Sequence, residues 1–352
     1  MSIDIDINKR LSNFCLHMSF REDSKRIGVL GASGAGKSMM LKMLAGIEKP
    51  DNGKIILDNR VLFDSEDHIN LKPQKRNVGY LFQNYALFPN MTVSQNIAAG
   101  LKGDKEKVRS RVSEMVQKFR LTGLEDSLPG KLSGGQQQRA ALARIMAYEP
   151  EMILLDEPFS ALDVYLKDRM QEELMEMLSD YDGTVIMVSH SRDEIYRFSD
   201  TLAVVDEGKI ISHGDTRKIF AQPETKAAAV LTGCKNISRA EIADPHVIKA
   251  VDWGITLKVK QVIPENIRYI GYRAHQFKPV WGSREENCVR FDLLSKAELQ
   301  FEKNFYVKPE SGSCDRDSMI TWFVQRDKWD ELKEKGYPDY LMFVEEDMLF
   351  LR

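Results

Sequence analysis

The N-terminal stretch of the chain alternates between apolar and polar side chains. The alternation covers residues 3–7 and returns over residues 14–18. Successive side chains of a strand point to opposite faces, so a period of two is typical of a strand with one buried face. The pattern predicts half-buried antiparallel strands in this stretch.

The period then changes from two to a helical spacing. A short apolar run over residues 25–30 leads into a glycine-rich loop, and apolar side chains recur at helical spacing over residues 40–47. This order predicts a strand, a loop and a helix that ends before Pro50. Residues 92–147 are also predicted to be helical, and the basic residues beside their apolar stripe indicate a solvated helix face.

Strands and helices alternate in the next part of the chain. Residues 152–156 and 184–189 are apolar runs of strand length, and residues 163–178 between them have helical spacing. Fully apolar strands that alternate with helices predict a mostly parallel sheet covered by helices. Glu207 and Gly208 separate two further strand-like runs, which is typical of a hairpin.

The pattern changes again near residues 222–232. Beyond this point, short strand-like runs are separated by proline, glycine and charged residues. The change predicts a first domain over residues 1–230 and a small, mostly-β second domain over residues 231–352.

Composition narrows the class of protein. The chain has 50 Lys and Arg and 53 Asp and Glu, a net charge of −3, which argues against a dedicated nucleic-acid binder. The cysteines are scattered and form no CxxC pair, as expected of reduced thiols in the cytoplasm. We find no apolar run long enough to span a bilayer and no signal-peptide pattern, so a soluble chain is expected.

A phosphate-binding loop follows the first predicted parallel strand. It matches G-x-x-x-x-G-K-[ST] and consists of Gly31, Ala32, Ser33, Gly34, Ala35, Gly36, Lys37 and Ser38. Glycines let backbone N–H groups surround phosphate oxygens, and the helix that follows directs its positive end at the same anion. We expect Lys37 to reach the terminal phosphates of ATP and the Ser38 hydroxyl to bind Mg²⁺.

The apolar strand that begins at residue 152 ends in two carboxylates, Asp156 and Glu157. Asp156 is expected to orient Mg²⁺, and Glu157 is expected to deprotonate the attacking water, as in a Walker B site. A strand followed by an acidic turn is the alternative when this motif is read alone. The phosphate loop earlier in the chain favours the catalytic interpretation.

A third motif precedes a predicted helix. It consists of Leu132, Ser133, Gly134, Gly135 and Gln136. A Ser-Gly-Gly turn at a helix N-terminus offers free N–H groups and a hydroxyl to an anion. The run LSGGQQQR resembles the signature motif of ATP-binding cassette (ABC) ATPases. The resemblance covers about residues 1–230. It implies an α/β P-loop NTPase with a mostly parallel sheet core, an N-terminal antiparallel β subdomain and a helical signature subdomain.

Other positions follow in the order of that family. Gln83 resembles the Q-loop glutamine, Asp163 lies in a segment similar to the D-loop, and His190 resembles the switch histidine. The resemblance implies that Glu157 is the general base, that His190 contacts the γ-phosphate and that Gln83 senses the metal and the water. It also implies that Ser38, Gln83 and Asp156 surround Mg²⁺. The residue that stacks on adenine is left open, with Phe14 and Phe20 as the aromatic candidates.

The resemblance also implies partners. Cassettes of this family work as dimers, in which the signature of one copy closes on ATP held by the other and Asp163 couples the two sites. A chain without a membrane span then needs an integral permease, and indirectly a substrate-binding protein, which places it on the cytoplasmic face of the membrane. The segment after Gln83, residues 85–93, resembles the stretch where importer cassettes receive their permease.

The transported substrate is predicted from two segments. Residues 231–236 and 252–257 resemble the molybdate-importer ATPases. Importers of sulfate, tungstate, iron or polyamines share the cassette and remain alternatives. A non-transport ABC ATPase that acts on ribosomes or DNA is a remote alternative, since the chain has one phosphate loop, one signature and no heptad run. A module without hydrolysis is disfavoured because Glu157 and His190 are present.

Overall fold

The structure is a computed structural model that describes residues 2–11, 14–160, 164–310 and 318–352. Contacts divide the chain into two compact units, Met1–Arg217 and Lys218–Arg352. The division falls inside helix α8 (Thr216–Ala221). The domain boundary after residue 230 stays a prediction.

The first unit contains a mixed sheet with helices. Its strands are β1 (Ile3–Arg10), β2 (Cys15–Glu22), β3 (Arg26–Gly31), β4 (Asn52–Leu57), β5 (Arg60–Asp64), β6 (Ile69–Asn70), β7 (Val78–Leu81), β8 (Met152–Asp156), β9 (Thr184–Ser189), β10 (Thr201–Asp206) and β11 (Lys209–Asp215). Its helices are α1 (Lys37–Ala45), α2 (Pro73–Arg76), α3 (Val93–Ala98), α4 (Lys105–Lys118), α5 (Gly134–Ala147), α6 (Val164–Met177) and α7 (Arg192–Phe198).

The sheet joins an antiparallel part to a parallel part. In the described chain its order is β6-β5-β4-β1-β2-β11-β10-β3-β9-β8-β7. Strands β10, β3, β9, β8 and β7 run parallel to one another, β10 pairs antiparallel with β11, and β1 pairs antiparallel with both β2 and β4. This confirms the predicted parallel core and antiparallel N-terminal subdomain. Ile3, Ile5 and Ile7 are fully buried on one face of β1, as the alternating pattern predicts.

Two helix predictions need correction. Helix α1 ends at Ala45 because Gly46 adopts the left-handed conformation with φ 76°, so Ile47 lies outside it and is 46% exposed. Residues 92–147 form three helices, α3, α4 and α5, rather than a continuous helical stretch. Thr92, Asp104 and Ser133 each accept a backbone hydrogen bond as N-caps and start the three helices.

The second unit is built mainly from strands. They are β12 (Asn236–Asp244), β13 (Val247–Ala250), β14 (Ile255–Lys258), β15 (Tyr269–Tyr272), β16 (Lys278–Val280), β17 (Cys288–Val289), β18 (Phe291–Glu298), β19 (Glu302–Pro309), β20 (Ile320–Gln325), β21 (Tyr340–Met342) and β22 (Leu349–Leu351), with helices α9 (Lys226–Leu231) and α10 (Trp329–Lys335). Among the described residues they form sheets ordered β14-β13-β12-β15-β22, β16-β21-β17 and β18-β19-β20. Trp253 and Trp322 are buried in the core of this unit. A mostly-β second unit is as predicted.

Candidate nucleotide-binding site

The glycine-rich loop lies between strand β3 and helix α1. Gly34 and Gly36 have φ values of 82° and 95°, which disfavour residues with a side chain. A Cβ atom added at Gly31 would lie 2.4 Å from the carbonyl oxygen of Val205, and one at Gly36 would lie 2.7 Å from Leu16. Glycine is therefore required by the backbone turn and by close packing, while the space beside Gly34 is open. An open loop with a glycine backbone fits a bound phosphate chain.

Lys37 closes the loop at the start of α1. The side chain is 5% exposed, and its Nζ donates to the carbonyl oxygens of Gly31 and Ala32, each at 2.9 Å. Burial lowers the pKa of Lys37, and the nearby carboxylates of Glu157 and Asp156 oppose that shift. A desolvated ammonium that is held only by carbonyl oxygens is well placed to bind an anion.

Asp156 lies at the end of β8 and is bound by two hydroxyl groups. The Ser38 hydroxyl donates to its Oδ1 at 2.7 Å, and the Tyr80 hydroxyl donates to its Oδ2 at 2.7 Å. Burial, together with the Asp156 charge and this hydrogen bond, raises the pKa of Tyr80, so the phenol stays protonated. The structure thus brings Ser38 and Asp156 together. Their oxygens are ligands that Mg²⁺ prefers, and the pair fits that ion.

Glu157 follows Asp156 in an unusual backbone conformation. Its φ is 46°, its N–H donates to the carbonyl of Val188, and its own carbonyl accepts from the N–H and hydroxyl of Ser160. Strained backbone of this kind persists where surrounding bonds fix it. His190 Nδ1 lies 3.2 Å from Oε1 of Glu157, with the two side chains 52% and 18% exposed. The two side chains therefore lie next to each other at the ends of β8 and β9.

Gln83 is placed on the same edge of the sheet. It follows β7, whose Leu81 pairs with Leu155 of β8, so Gln83 and Asp156 leave neighbouring parallel strands at their carboxyl ends. Gln83 is exposed. This position is consistent with a group that senses the metal and water.

The signature residues form the start of helix α5. Ser133 and Gln136 make a capping box, in which the Gln136 side chain accepts from the Ser133 N–H at 2.8 Å. Leu132 is buried, whereas Ser133 and Gly134 are exposed. A Cβ at Gly135 would approach the sulfur of Met170 to 3.0 Å, so this glycine packs closely on α6. Ser133 and Gly134 present their free groups outward.

Three predicted positions need separate comment. Asp163 lies outside the described residues. Phe20 is 6% exposed in the core, and its ring contacts His213 at 5.3 Å. Phe14 is half-buried, next to Gly208 in the turn between β10 and β11. Leu16 and Met18 lie beside Gly36 of the glycine-rich loop, and Phe14 packs against the same hydrophobic core as these two residues.

Sequence reasoning missed three residues that support the site. Tyr80 binds Asp156, Gln138 donates to the carbonyl of Pro158 beside Glu157, and Arg144 binds the loop after β7. Each contact joins residues far apart in sequence. The spacing of apolar residues in β7 and α5 predicts which positions are buried. It does not predict which distant residues the polar side chains at those positions bind.

Taken together, a phosphate loop, a buried strand with two terminal carboxylates and a histidine on the next strand define a P-loop ATPase site. The model of the ABC transporter family matches residues 16–160. The chain is 38% identical over 252 residues to the Fe(3+) ions import ATP-binding protein FbpC 2 of Haemophilus influenzae, which covers 71% of this chain and 70% of that protein. It is 37% identical over 242 residues to the sulfate/thiosulfate import ATP-binding protein CysA of Thermosynechococcus vestitus, covering 68% and 70% of the two chains.

A relative named for molybdenum is also found. The molybdenum import ATP-binding protein ModC of Rhodospirillum rubrum is 34% identical over 256 residues, covering 72% of this chain and 68% of that one. Among solved structures, the ATP-binding cassette MJ0796 in a dimeric post-hydrolysis state bound to ADP and Pi has a TM-score of 0.52 and 26% identity. It covers 62% of this chain and 99% of that one. The chain therefore belongs to the ABC transporter family, and it is an ATP-binding, ATP-hydrolysing cassette of that family.

Within the described residues, no helix combines the length and the apolar character needed to cross a membrane.

Proposed function

We propose that this ATPase energises an importer and that the group formed by Ser38, Asp156, Glu157 and His190 performs hydrolysis. The observation that carries the proposal is the pair of contacts at the end of β8: Ser38 to Asp156 at 2.7 Å and His190 to Glu157 at 3.2 Å. The oxygens of Ser38 and Asp156 would bind a metal ion, and Glu157, the residue after Asp156, offers a carboxylate as the base. That is the arrangement required for attack of water on a phosphate.

The binding step uses the loop and its lysine. The backbone N–H groups from Gly31 to Ser38 surround the β-phosphate, and Lys37 exchanges its carbonyl partners for phosphate oxygens. Ser38, Asp156 and Gln83 would hold Mg²⁺, which when bound neutralises the charge that develops on the β- and γ-phosphates. This exchange carries little reorganisation cost because Lys37 is already desolvated and aimed at the loop.

The chemical step uses Glu157. Its carboxylate accepts a proton from a water molecule whose oxygen attacks the γ-phosphorus, while the bond from that phosphorus to the bridging oxygen breaks to give ADP and phosphate. Nδ1 of His190 lies 3.2 Å from Oε1 of Glu157, and its other ring nitrogen would contact the γ-phosphate. The fixed backbone of Glu157 limits the directions in which the carboxylate can point.

The signature residues act across a dimer. The N–H groups of Gly134 and Gly135 and the hydroxyl of Ser133 would bind the γ-phosphate held by a second copy. Support comes from the outward position of this turn at the N-terminus of α5 and from relatives solved as dimeric cassettes. In this proposal Asp163 links the two sites, and loss of the γ-phosphate reopens the dimer.

A permease and a substrate-binding protein complete the proposed assembly at the cytoplasmic face of the membrane. Phe88 and Met91 are exposed apolar residues on the segment after Gln83, 47% and 39% exposed. An exposed apolar pair on an ordered loop supports docking of a permease helix. The importer names of the relatives support the same partner.

For the substrate we propose molybdate or a related oxyanion. The resemblance over residues 231–236 and 252–257 supports this choice. In the structure these segments have structural contacts: the Asn236 amide exchanges two hydrogen bonds with the backbone of Thr321, and Asp252 binds Arg239. Burial raises the pKa of Cys234, a thiol 4% exposed, which fits a packing role. Substrate choice therefore has to be tested through the transport complex.

The experiment measures ATPase rate in the complex with its permease and binding protein, reconstituted in vesicles. Molybdate, tungstate, sulfate, ferric ion and putrescine are added separately. We expect stimulation by molybdate or tungstate. Stimulation by sulfate alone would contradict the proposal that molybdate is the substrate. Stimulation by ferric ion or putrescine alone would contradict the proposal that the substrate is an oxyanion. An unstimulated but active ATPase would contradict the importer role.

A further inference from the structure

The loop after β7 has two consecutive non-glycine residues in the left-handed conformation. Tyr85 and Ala86 have φ values of 59° and 45°. Such residues are uncommon and strained, so a pair of them needs partners that hold the chain in place. Two local bonds are present, from the Tyr85 N–H to Phe82 and from the Ala86 N–H to Asn84. The outward carbonyl groups of the same two residues need a donor from elsewhere.

Arg144 on helix α5 is that donor. Its guanidinium donates to the carbonyl of Ala86 at 2.8 Å and to the carbonyl of Tyr85 at 3.2 Å, and it lies over the ring of Phe88 at 5.3 Å. Burial lowers the pKa of Arg144, although a guanidinium stays charged at neutral pH. A desolvated charge bound to carbonyl oxygens and an aromatic face makes a strong, directional contact.

Asn96 fixes the other end of the same loop. The side chain is 1% exposed, accepts from the Phe88 N–H at 2.8 Å and donates to the carbonyls of Phe88 and Met91. Phe88 is therefore held between the guanidinium of Arg144 and the amide of Asn96. The exposed apolar surface proposed for the permease rests on a segment fixed from two helices.

Helix α5 carries both the signature and this arginine. Ser133 caps its N-terminus, and Arg144 lies near its C-terminal end. Because an α-helix is rigid over such a length, a displacement of the signature turn moves the guanidinium with it. Such a displacement would change the hydrogen bonds that the guanidinium donates to the carbonyls of Tyr85 and Ala86.

We propose that Arg144 is a positioning residue that couples the state of the signature helix to the conformation of residues 85–91. This inference rests on the proposed function, since it assigns that loop to the permease side. Arg144 acts through the strained turn at Tyr85 and Ala86. When Arg144 is replaced, the two carbonyl groups of this turn lose their guanidinium donor, and the strained conformation is less stable.

A matched control is available on helix α4. Arg111 also donates to two carbonyl oxygens, those of Met146 and Ala147 at 3.0 Å each, and it contacts the same helix α5. Its other hydrogen bonds go to the Glu114 carboxylate on α4, and none of its bonds reaches residues 85–91. Arg111→Met therefore removes a similar contact without removing the proposed link.

The first measurement is hydrogen exchange of the full chain without ATP. We expect Arg144→Met to speed exchange of the amides of residues 85–88 by about tenfold or more, because charge-assisted hydrogen bonds hold this turn closed. Arg144→Lys should give an intermediate rate, since an ammonium keeps the charge and lacks the two-pronged geometry. Unchanged exchange in Arg144→Met, or an equal increase in Arg111→Met, would overturn the proposal.

The second measurement adds ATP in a Glu157→Gln background. We expect ATP to slow exchange over residues 85–91 by about fivefold or more, within the usual range of coupling between sites, and we expect Arg144→Met to abolish that response. Arg111→Met should keep it. A response that survives in Arg144→Met would overturn the coupling. Failure of the Glu157→Gln chain to bind ATP in a filter assay would instead contradict the proposed function, and the exchange measurement without ATP would still decide the role of Arg144.

Discussion

The Ser38 hydroxyl donates to the Asp156 carboxylate at 2.7 Å across 118 positions of sequence. Ser38 lies in the first turn of helix α1, and Asp156 ends strand β8. The contact therefore joins the start of the helix after the glycine-rich loop to the strand that ends in the two carboxylates. Asp156 is held on its other oxygen by Tyr80, so its orientation is set by two donors of different roles.

Separate substitution of these two donors tests which one serves the metal. We expect Ser38→Ala to lower kcat/KM for MgATP by roughly 10²–10³-fold, as for loss of a key transition-state contact. Tyr80→Phe should lower it by no more than about tenfold to a hundredfold, the usual cost of a supporting contact. ATPase rates measured against Mg²⁺ concentration check this. An identical Mg²⁺ dependence in Ser38→Ala and the wild type would contradict the assigned role of Ser38.

Lys37 provides a test of the phosphate loop alone. Lys37→Ala removes a buried ammonium that is within 2.9 Å of two loop carbonyls. A charge-assisted contact contributes about 1.5–3 kcal/mol, so we expect ATP affinity to fall by roughly tenfold or more in a filter assay. Lys42→Ala is the control, because Lys42 lies on the same helix and carries the same charge. Equal affinities in Lys37→Ala and the control would remove Lys37 from the site.

The second unit has an acid-sensitive contact that can be followed by fluorescence. Burial raises the pKa of Asp252, but hydrogen bonds from the side chain and backbone N–H of Arg239 outweigh it, and the net pKa is lowered. The stability from this pair is therefore present above the unfolded pKa of 3.8 and is lost as pH falls through the folded value.

We expect the free energy of unfolding of the second unit to fall as pH drops below about 4, and Asp252→Asn to flatten that fall. Tryptophan fluorescence is a selective probe, since Trp253, Trp281, Trp322 and Trp329 account for the 4 tryptophans of the chain and all follow residue 218. Asp244→Asn is a control on the neighbouring hairpin. If the free energy of unfolding of Asp252→Asn falls with decreasing pH as steeply as that of the wild type, groups other than Asp252 cause the acid sensitivity.

Sequence periodicity predicted those elements whose burial is regular. The alternation over residues 3–7 gave β1, and the apolar runs at 152–156 and 184–189 matched β8 and β9 because both faces of those strands are buried. Strand β18 escaped prediction because its side chains are almost all exposed, so hydrophobicity carries no period there. The helical stretch over 92–147 was divided by N-caps, which helical spacing alone does not reveal.

The candidate site could be proposed from the sequence for a different reason. Phosphate loops, paired carboxylates and signature turns are short runs whose chemistry depends on neighbours in sequence. Tyr80 and Arg144 depend instead on partners brought close by the fold: Asp156 for one, and the carbonyls of Tyr85 and Ala86 for the other. The sequence around a tyrosine in a strand or an arginine in a helix does not predict which distant group accepts its hydrogen bond.

Glu157 is the residue that we propose as the general base of this ATP-hydrolysing cassette. Single-turnover hydrolysis by Glu157→Gln is compared with hydrolysis by Glu151→Gln, a control at the opposite end of β8 whose carboxylate binds Arg60. We expect Glu157→Gln to bind ATP with unchanged affinity and to form a stable ATP-bound dimer. Its hydrolysis should be slower by about 10²–10⁴-fold, the usual contribution of a general base, while Glu151→Gln stays near the wild-type rate. Near-normal hydrolysis by Glu157→Gln would contradict the account.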